Sequence, residues 1–197
     1  MQLLEQLRQI TGETGCLTQA SDTAPFLKEW RGRYQSECLA VVLPESTDQV
    51  SEVVKCCSQN DIGIVPQSGN TGLVGGAVAS GNQIILSLSR MNRVRHIDAA
   101  DFSMTVEAGC TLKQIHQAAA EQGLMFPLRL VPDDLCQIGG NLATNAGGTN
   151  VLRYGNVRSQ VLGIEVVLAN GQIVDGLSAL HKDNTCLLYT SPSPRDQ

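Results

Sequence analysis

Residues 66–76 read Pro66-Gln67-Ser68-Gly69-Asn70-Thr71-Gly72-Leu73-Val74-Gly75-Gly76 and follow a short apolar run, Ile62 to Val65. The run reads as a buried strand. The glycines after it let the backbone turn tightly and aim several N–H groups at one point. A concave set of amides suits an anion, most often a phosphate. A second glycine-rich stretch lies well downstream, Cys136-Gln-Ile-Gly-Gly-Asn-Leu-Ala-Thr-Asn-Ala-Gly-Gly148. Its middle has room for one or two helical turns flanked by the pairs Gly139-Gly140 and Gly147-Gly148. Paired glycines, here and at Gly75-Gly76, let backbone come close to a flat or bulky group. Two such stretches, each beside a strand, suit one long ligand crossing two lobes, and a dinucleotide with a planar ring has that shape. The same residues also suit tight turns in an α+β domain, and spacing alone does not choose between the two readings.

Other chemistries find little support. Neither Gly69-Asn-Thr-Gly72 nor Gly72-Leu-Val-Gly75-Gly76 has the G-x-G-x-x-G spacing of the nicotinamide-dinucleotide fingerprint, and no G-x-x-x-x-G-K-[ST] occurs. His96, His116 and His181 are scattered and read as solvated or structural rather than as a metal cluster. The seven cysteines, Cys16, Cys38, Cys56, Cys57, Cys110, Cys136 and Cys186, are odd in number and include no C-x-x-C. That pattern argues against a disulfide framework or zinc knuckle and for reduced thiols, most of them small core residues.

The elements that must position the glycine-rich stretches follow from periodicity. Leu3, Leu4, Leu7 and Ile10 share one helical face that stops near Gly12, and residues 13 to 37 are mixed and polar, read as a loop or arm. Cys38 to Leu43 reads as a strand ended by Pro44. Ser46-Thr-Asp-Gln49 is a capping-box pattern, and Val50, Val53, Val54 and Cys57 give the stripe of an amphipathic helix. With Ile62 to Val65 this makes a βαβ unit with parallel strands. The first loop then leaves the carboxyl end of the second strand, where open α/β sheets place ligands. Ile84 to Leu88 is another strand and Val94 to Ile97 a short one. Met104, Val106 and Ala108 alternate with Thr105 and Glu107 as a half-buried strand. Thr111 caps a second helix with Leu112, Ile115 and Ala119 inward, stopped by Gly123. Leu124 to Leu130 is extended around Pro127. Val161 to Leu168 reads as a strong strand, and Asn170-Gly171 as a type I′ turn leading to a return strand, Ile173 to Asp175.

Bulk properties fit this picture. With 197 residues, 42% of them hydrophobic, the chain can bury one or two small cores. Glycine, 19 of 197 residues, exceeds the usual share of about 7%, and the excess sits in the two stretches. A net charge of −5 with no long basic cluster argues against nucleic acid, and 4% aromatics leave no platform for stacking bases. No run of apolar residues is long enough to span a membrane. The N-terminus, Met1-Gln-Leu-Leu-Glu-Gln-Leu7, reads as neither a secretory signal nor a transit peptide. A cytoplasmic location is expected, or the mitochondrial matrix in a eukaryote.

The order of strand, helix, strand, Pro66-Gln-Ser-Gly-Asn-Thr-Gly72, then Ile138-Gly-Gly-Asn-Leu-Ala-Thr-Asn-Ala-Gly-Gly148, Tyr154-Gly155 and Val161-Leu-Gly-Ile-Glu-Val-Val167 resembles the FAD-binding domain of vanillyl-alcohol-oxidase-like flavoproteins. More narrowly it is similar to the FAD-linked D-2-hydroxyacid dehydrogenases, the D-lactate and D-2-hydroxyglutarate group. The likeness covers about residues 38 to 185. It implies an α+β, two-lobed FAD-binding domain of the PCMH-type architecture, with a first lobe near 38–107 and an incomplete second lobe near 108–185, after an N-terminal helix and arm at 1–37. Pro66, Gln67, Ser68, Gly69, Asn70, Thr71, Gly72 and Leu73 would wrap the FAD diphosphate. Cys136, Gly139, Gly140, Thr144, Asn145, Gly147 and Gly148 would line the isoalloxazine, with Tyr154, Gly155 and Ile164 completing the pocket. No His or Cys lies between Asp61 and Met91, where some relatives attach flavin covalently, so the FAD is expected to be non-covalent. Pro132-Asp133-Asp134-Leu135 is more acidic than the family pattern.

The resemblance further implies hydride transfer from C2 of a D-2-hydroxy acid to flavin, with electrons passing on to a separate acceptor. The base, the substrate-binding arginines and any metal ligands of that branch belong to a later domain that this chain lacks. The family likeness ends with Lys182-Asp-Asn-Thr185, and residues 186–197, with Ser-Pro-Ser-Pro, read as an unstructured tail foreign to it. A stand-alone flavin-binding subunit of a multi-chain oxidoreductase and an inactive fragment are the alternatives to a truncated dehydrogenase.

Overall fold

Two strands that are apolar on both sides set the architecture. Ala40, Val41 and Val42, and Ile84, Ile85 and Leu86, are all buried. Successive side chains point to opposite faces of a strand, so a strand apolar throughout needs cover on both faces. In the computed structural model, which describes residues 2–177, these strands are β2 (Ala40–Val42) and β4 (Gln83–Ser87) of a four-stranded sheet. The order is β1-β2-β4-β3, with β1 at Cys16–Leu17 and β3 at Gly63–Gln67. Strands β2, β4 and β3 run parallel, and β1 pairs antiparallel with β2. The expected βαβ unit is therefore present with a different neighbour relation: β4 inserts between β2 and β3 and leaves β3 on the edge.

On one face Ala40, Val42, Ile84 and Leu86 pack with Val50, Val53 and Cys57 of α3 (Thr47–Gln59) and Leu7 of α1 (Gln2–Thr11). On the other, Val41, Leu43, Val65 and Ile85 pack with Phe26 and Leu27 of α2 (Ala20–Leu27). Ser46 caps α3 by accepting the Gln49 N–H at 3.2 Å, but the Gln49 side chain accepts from Glu45 N at 2.8 Å instead of Ser46 N, so only half of the expected capping box forms. The segment 13–37, read from sequence as a loop or arm, thus carries β1 and α2 and covers one sheet face.

A second core holds Leu112, Leu128, Cys136 and Val157, with Phe126, Ile138 and Leu142 against it. Leu112 opens α4 (Leu112–Glu121), and its Thr111 cap is reciprocal: Thr111 Oγ1 accepts from Gln114 N at 3.2 Å and Gln114 Oε1 accepts from Thr111 N at 2.8 Å. Thr111→Ala removes one half of this box and is expected to cost about 1 kcal/mol, read as a lower urea midpoint at unchanged slope. Between the two cores, β5 (Val94–Asp98) and β6 (Ser103–Val106) form an antiparallel pair. Glu107, read from sequence as an outward residue of this strand, lies beyond its end and is buried.

The strong strand expected over Val161 to Leu168 shortens to β7 (Glu165–Val167), paired with β8 (Ile173–Asp175). Their turn is not type I′, which needs positive φ at both Asn170 and Gly171. Only Gly171 has it, at 78°, and Leu168 N bonds Gln172 O across a three-residue loop. The hairpin docks on the first core: Val167 packs against it, and Ser51 in α3 donates to Gly171 O. His181, the Lys182–Thr185 likeness, Cys186 and the 186–197 tail lie outside the described residues. No described helix is long and apolar enough to cross a membrane.

Candidate functional site

The two glycine-rich stretches meet. The first loop begins at the carboxyl end of β3, and Gly69 comes so close to the second stretch that a Cβ there would fall onto the Leu135 carbonyl oxygen. A Cβ on Gly140 would sit 2.9 Å from Ser68 Cβ, and Thr71 Oγ1 lies 3.7 Å from Cys136 Sγ. Glycine at 69 and 140 is therefore needed for one loop to seat on the other. This departs from the expectation that paired glycines face the ligand: Gly139 and Gly140 lie inside α5 (Ile138–Ala143), not at its flanks, and Gly139 packs on Ala108. Gly148 packs on the Arg129 carbonyl, and Gly147 faces Asn156 and Val151. Gly72 and Gly76 meet nothing within 4 Å, so open space lies over that part of the first loop.

The remaining residues of the first loop hold its shape. Asn70 adopts the left-handed conformation, φ 51°, and its Nδ2 donates to Lys28 O at 3.0 Å. Gln67 is buried and donates from Nε2 to Phe26 O at 2.9 Å. Among the described residues no backbone N–H from Gly69 to Leu73 donates to a protein acceptor. Pro66 and Leu73 are exposed, Leu73 at 42%.

In the second stretch Thr144 Oγ1 returns to Gly140 O at 3.0 Å, and Asn145, φ 50°, accepts the Arg158 N–H at 3.3 Å. Gln137 Oε1 and Asn141 Oδ1 are buried with no hydrogen-bond partner, as is Gln160 Oε1. Buried amide oxygens without partners are rare. Tyr154 ends α6 (Val151–Tyr154) with Arg153 stacked 5.3 Å over its ring, and Gln160 Nε2 reaches the carbonyls of Tyr154 and Gly155. Ile164 is half-buried beside the β7–β8 hairpin, its carbonyl accepting from Gly176 N at 3.0 Å. Among the described residues no hydrogen bond joins Ile164 to either glycine-rich stretch.

A long ligand fits this arrangement. The unpaired amides of Gly69–Leu73 suit a diphosphate, and the open surface at Gly72 and Gly76 gives it room. A separate surface concavity at the start of α3, lined by Ser46, Thr47, Asp48, Arg93, Val94 and Arg95, shares no residue with either stretch. Its arginines are already engaged by Glu107 and Glu165.

Other candidate groups are structural. His116 Nε2 lies 2.8 Å from Leu128 O, and His96 is exposed on β5. Cys16, Cys38, Cys56, Cys57, Cys110 and Cys136 are free thiols, and burial pushes Cys57 up to about 12. Among the described residues no group of three or more His, Cys, Asp or Glu side chains could hold a metal ion.

A family profile described as an FAD binding domain matches residues 38–176. The chain belongs to this FAD-binding-domain family. Among curated proteins it is 43% identical over 164 residues to the D-2-hydroxyglutarate–pyruvate transhydrogenase of Saccharomyces cerevisiae, covering 83% of this chain and 33% of that one. It is 40% identical to the D-2-hydroxyglutarate dehydrogenase of Xanthomonas citri, covering 85% and 36%, and 42% identical to the mitochondrial D-2-hydroxyglutarate dehydrogenase of Danio rerio, covering 80% and 30%. The chain thus spans about a third of the length of these relatives. Among solved structures, p-cresol methylhydroxylase with substrate bound is 26% identical with a TM-score of 0.73, covering 98% of this chain and 39% of that one. Alkyldihydroxyacetonephosphate synthase, at 18% identity and a TM-score of 0.82, covers 96% and 40% and shares the fold. The α+β, two-lobed, PCMH-type architecture expected from the sequence is this fold.

Proposed function

We propose that this chain is the FAD-binding portion of a flavin-dependent dehydrogenase that oxidises a D-2-hydroxy acid to the 2-oxo acid, and that it holds FAD without a covalent bond. The observation that carries the reading is the seating of the first loop on the second stretch at Gly69–Leu135 and Gly140–Ser68, beneath a row of unpaired amides. The amides of Gly69 to Leu73 bind the diphosphate. The stretches Cys136–Gly140 and Thr144–Gly148 border the isoalloxazine, with Tyr154, Gly155 and Ile164 at the margin. FAD supplies the hydride acceptor; the protein orients it. The substrate class comes from the names of the relatives, and the groups that bind and deprotonate the hydroxy acid would lie in the remaining two thirds of such a protein. The free, buried thiols suit a reducing compartment, cytosol or mitochondrial matrix.

The test is the visible spectrum of the purified chain after incubation with FAD and gel filtration. Flavin bands that co-elute with protein and pass to the supernatant on acid precipitation are the expected result. A colourless protein peak would sink the cofactor reading. Flavin retained in the acid pellet would overturn the non-covalent part, and Cys136, whose thiol touches Thr71, would be the first residue to mutate.

A further inference from the structure

The first glycine-rich loop does not stand alone. Residues 26–37 run beside it over its whole length. Phe26 O receives Gln67 Nε2 and Lys28 O receives Asn70 Nδ2. The Tyr34 ring covers Gly75, where a Cβ would come within 3.2 Å of Cζ. At the far end Glu37 N donates to Ala79 O at 3.1 Å, and Ala79 N donates to Ser36 Oγ at 3.0 Å. The strap has its own internal anchor. Buried Glu29 accepts the N–H groups of Arg31 and Arg33 on Oε2, at 3.0 and 2.9 Å, and a bridge between Lys28 and Gln35 closes the turn. These hydrogen bonds, that to Arg33 foremost, hold the Glu29 carboxyl below its usual range and keep it ionised.

The strap is also charged. Among the described residues, Lys28, Arg31 and Arg33 take part in no side-chain hydrogen bond or ion pair with the rest of the chain, a property they share with Lys55, Lys113, Arg129 and Arg158 but not with Arg8, Arg90, Arg93 and Arg95. With Glu29 and Glu37 they leave the strap, residues 26–37, at three positive against two negative charges, net +1, in a chain of net −5. The family profile begins at residue 38, so the whole strap lies outside it.

We infer that residues 26–37 form the outer wall of the diphosphate site. Backbone carbonyls of the strap fix the loop through Gln67 and Asn70, and Lys28, Arg31 and Arg33 attract the anion that the loop amides bind. The inference rests on the FAD reading above. Charges within about 10 Å of one another interact at moderate salt and are screened at high salt. Neutralising three cations near a doubly charged diphosphate lowers affinity about tenfold in dilute buffer.

The experiment titrates the full chain with FAD and with riboflavin, which carries the same ring and no phosphate, in low and high salt. The wild type is compared with the triple variant Lys28→Gln, Arg31→Gln, Arg33→Gln. FAD affinity of the variant should fall about tenfold in low salt and approach wild type in high salt, while riboflavin affinity stays the same. Asn70→Ala, which releases the loop from Lys28 O, should weaken FAD in a way that salt does not alter. Equal FAD affinity of the triple variant and wild type in low salt overturns the inference, and so does an equal loss for riboflavin. A wild-type chain that binds neither ligand overturns the FAD reading itself, and the strap with it.

Discussion

Gly69→Ala abolishes flavin retention and lowers the melting temperature of the flavin-free protein: that is the largest effect expected of any single methyl group here. The added Cβ falls onto the Leu135 carbonyl oxygen, with the carbonyl carbon at 2.8 Å and Cys136 Cα at 3.5 Å. These are backbone atoms, so no rotamer change relieves the clash, and one stretch must move off the other. Forced overpacking of this kind costs about 1–3 kcal/mol, or roughly 2–12 °C for a chain of this size. The loss of binding is larger. Displacing the loop removes two or more charge-assisted amide–phosphate bonds at about 1.5–3 kcal/mol each, so affinity drops by at least two orders of magnitude. Gly72→Ala is the control, since nothing lies within 4 Å of its added methyl and its stability should match wild type. Fluorescence titration with FAD and a thermal melt without it read the two effects separately. Wild-type FAD affinity in Gly69→Ala would show that contact between the stretches does not assemble the site.

Both glycine-rich stretches of the candidate site are legible in the sequence because their signals are local. Gly, Asn, Thr and Ser at short spacing announce a backbone-lined loop, and Thr111 with Gln114 announces the helix that follows. Partners distant in sequence were not legible. Gln67 bonds Phe26, 41 residues away, and Asn70 bonds Lys28, 42 residues away. Nothing in the composition of residues 13 to 37 marks them as the support of a loop beyond residue 66. α2 carries Pro25 inside it, a residue that ordinarily argues against a helix interior. Its short apolar edge, Phe26 and Leu27, acquires meaning only once the sheet face it covers is known.

The roles of the glycines show the same limit. A pair such as Gly139-Gly140 declares close approach without saying to what, and here the neighbours are Ala108 and Ser68 of the protein itself. Sheet order is likewise a long-range property. The βαβ pattern gave the parallel sense of β2 and β3, but the insertion of β4 between them depends on which apolar strand buries best on both faces. Ile84, Ile85 and Leu86, only 0%, 0% and 5% exposed, take the centre, and β3, with Gly63 and Pro66 exposed, takes the edge. Proline on an edge strand leaves no central ladder bond unmade.

Glu107→Gln should remove a component of acid sensitivity, and the reason ties the charge network to the flavin site. The Glu107 side chain is fully buried, yet it accepts from Arg93 N at 2.8 Å, from Arg93 Nη2 at 2.9 Å and from Arg95 Nε at 3.4 Å. Burial pushes its carboxyl up; the hydrogen bonds and charge of Arg93, with help from Arg95, pull it down further, and the net result is below the usual range. A folded value below the unfolded one, about 4.3, means that Glu107 contributes stability above that pH and loses it as pH falls through the folded value. Arg93 remains 71% exposed and Arg95 keeps Glu165, so the stranded arginines retain water or a partner. The loss at neutral pH is therefore smaller than the 3–5 kcal/mol of a fully enclosed pair, about 2 kcal/mol. Urea unfolding from pH 7 to pH 3 should show the wild type and Glu107→Gln converging in acid; a constant gap would mean that the ion pairs contribute nothing specific. The next residue carries the effect into the site. Ala108 O accepts from Gly139 N at 2.9 Å, and a Cβ at Gly139 would sit 2.9 Å from Ala108 Cβ, so the backbone that Glu107 anchors is the one on which the second glycine-rich stretch rests. Weaker FAD binding in Glu107→Gln, with no change of charge near the diphosphate loop, is the result that this connection requires.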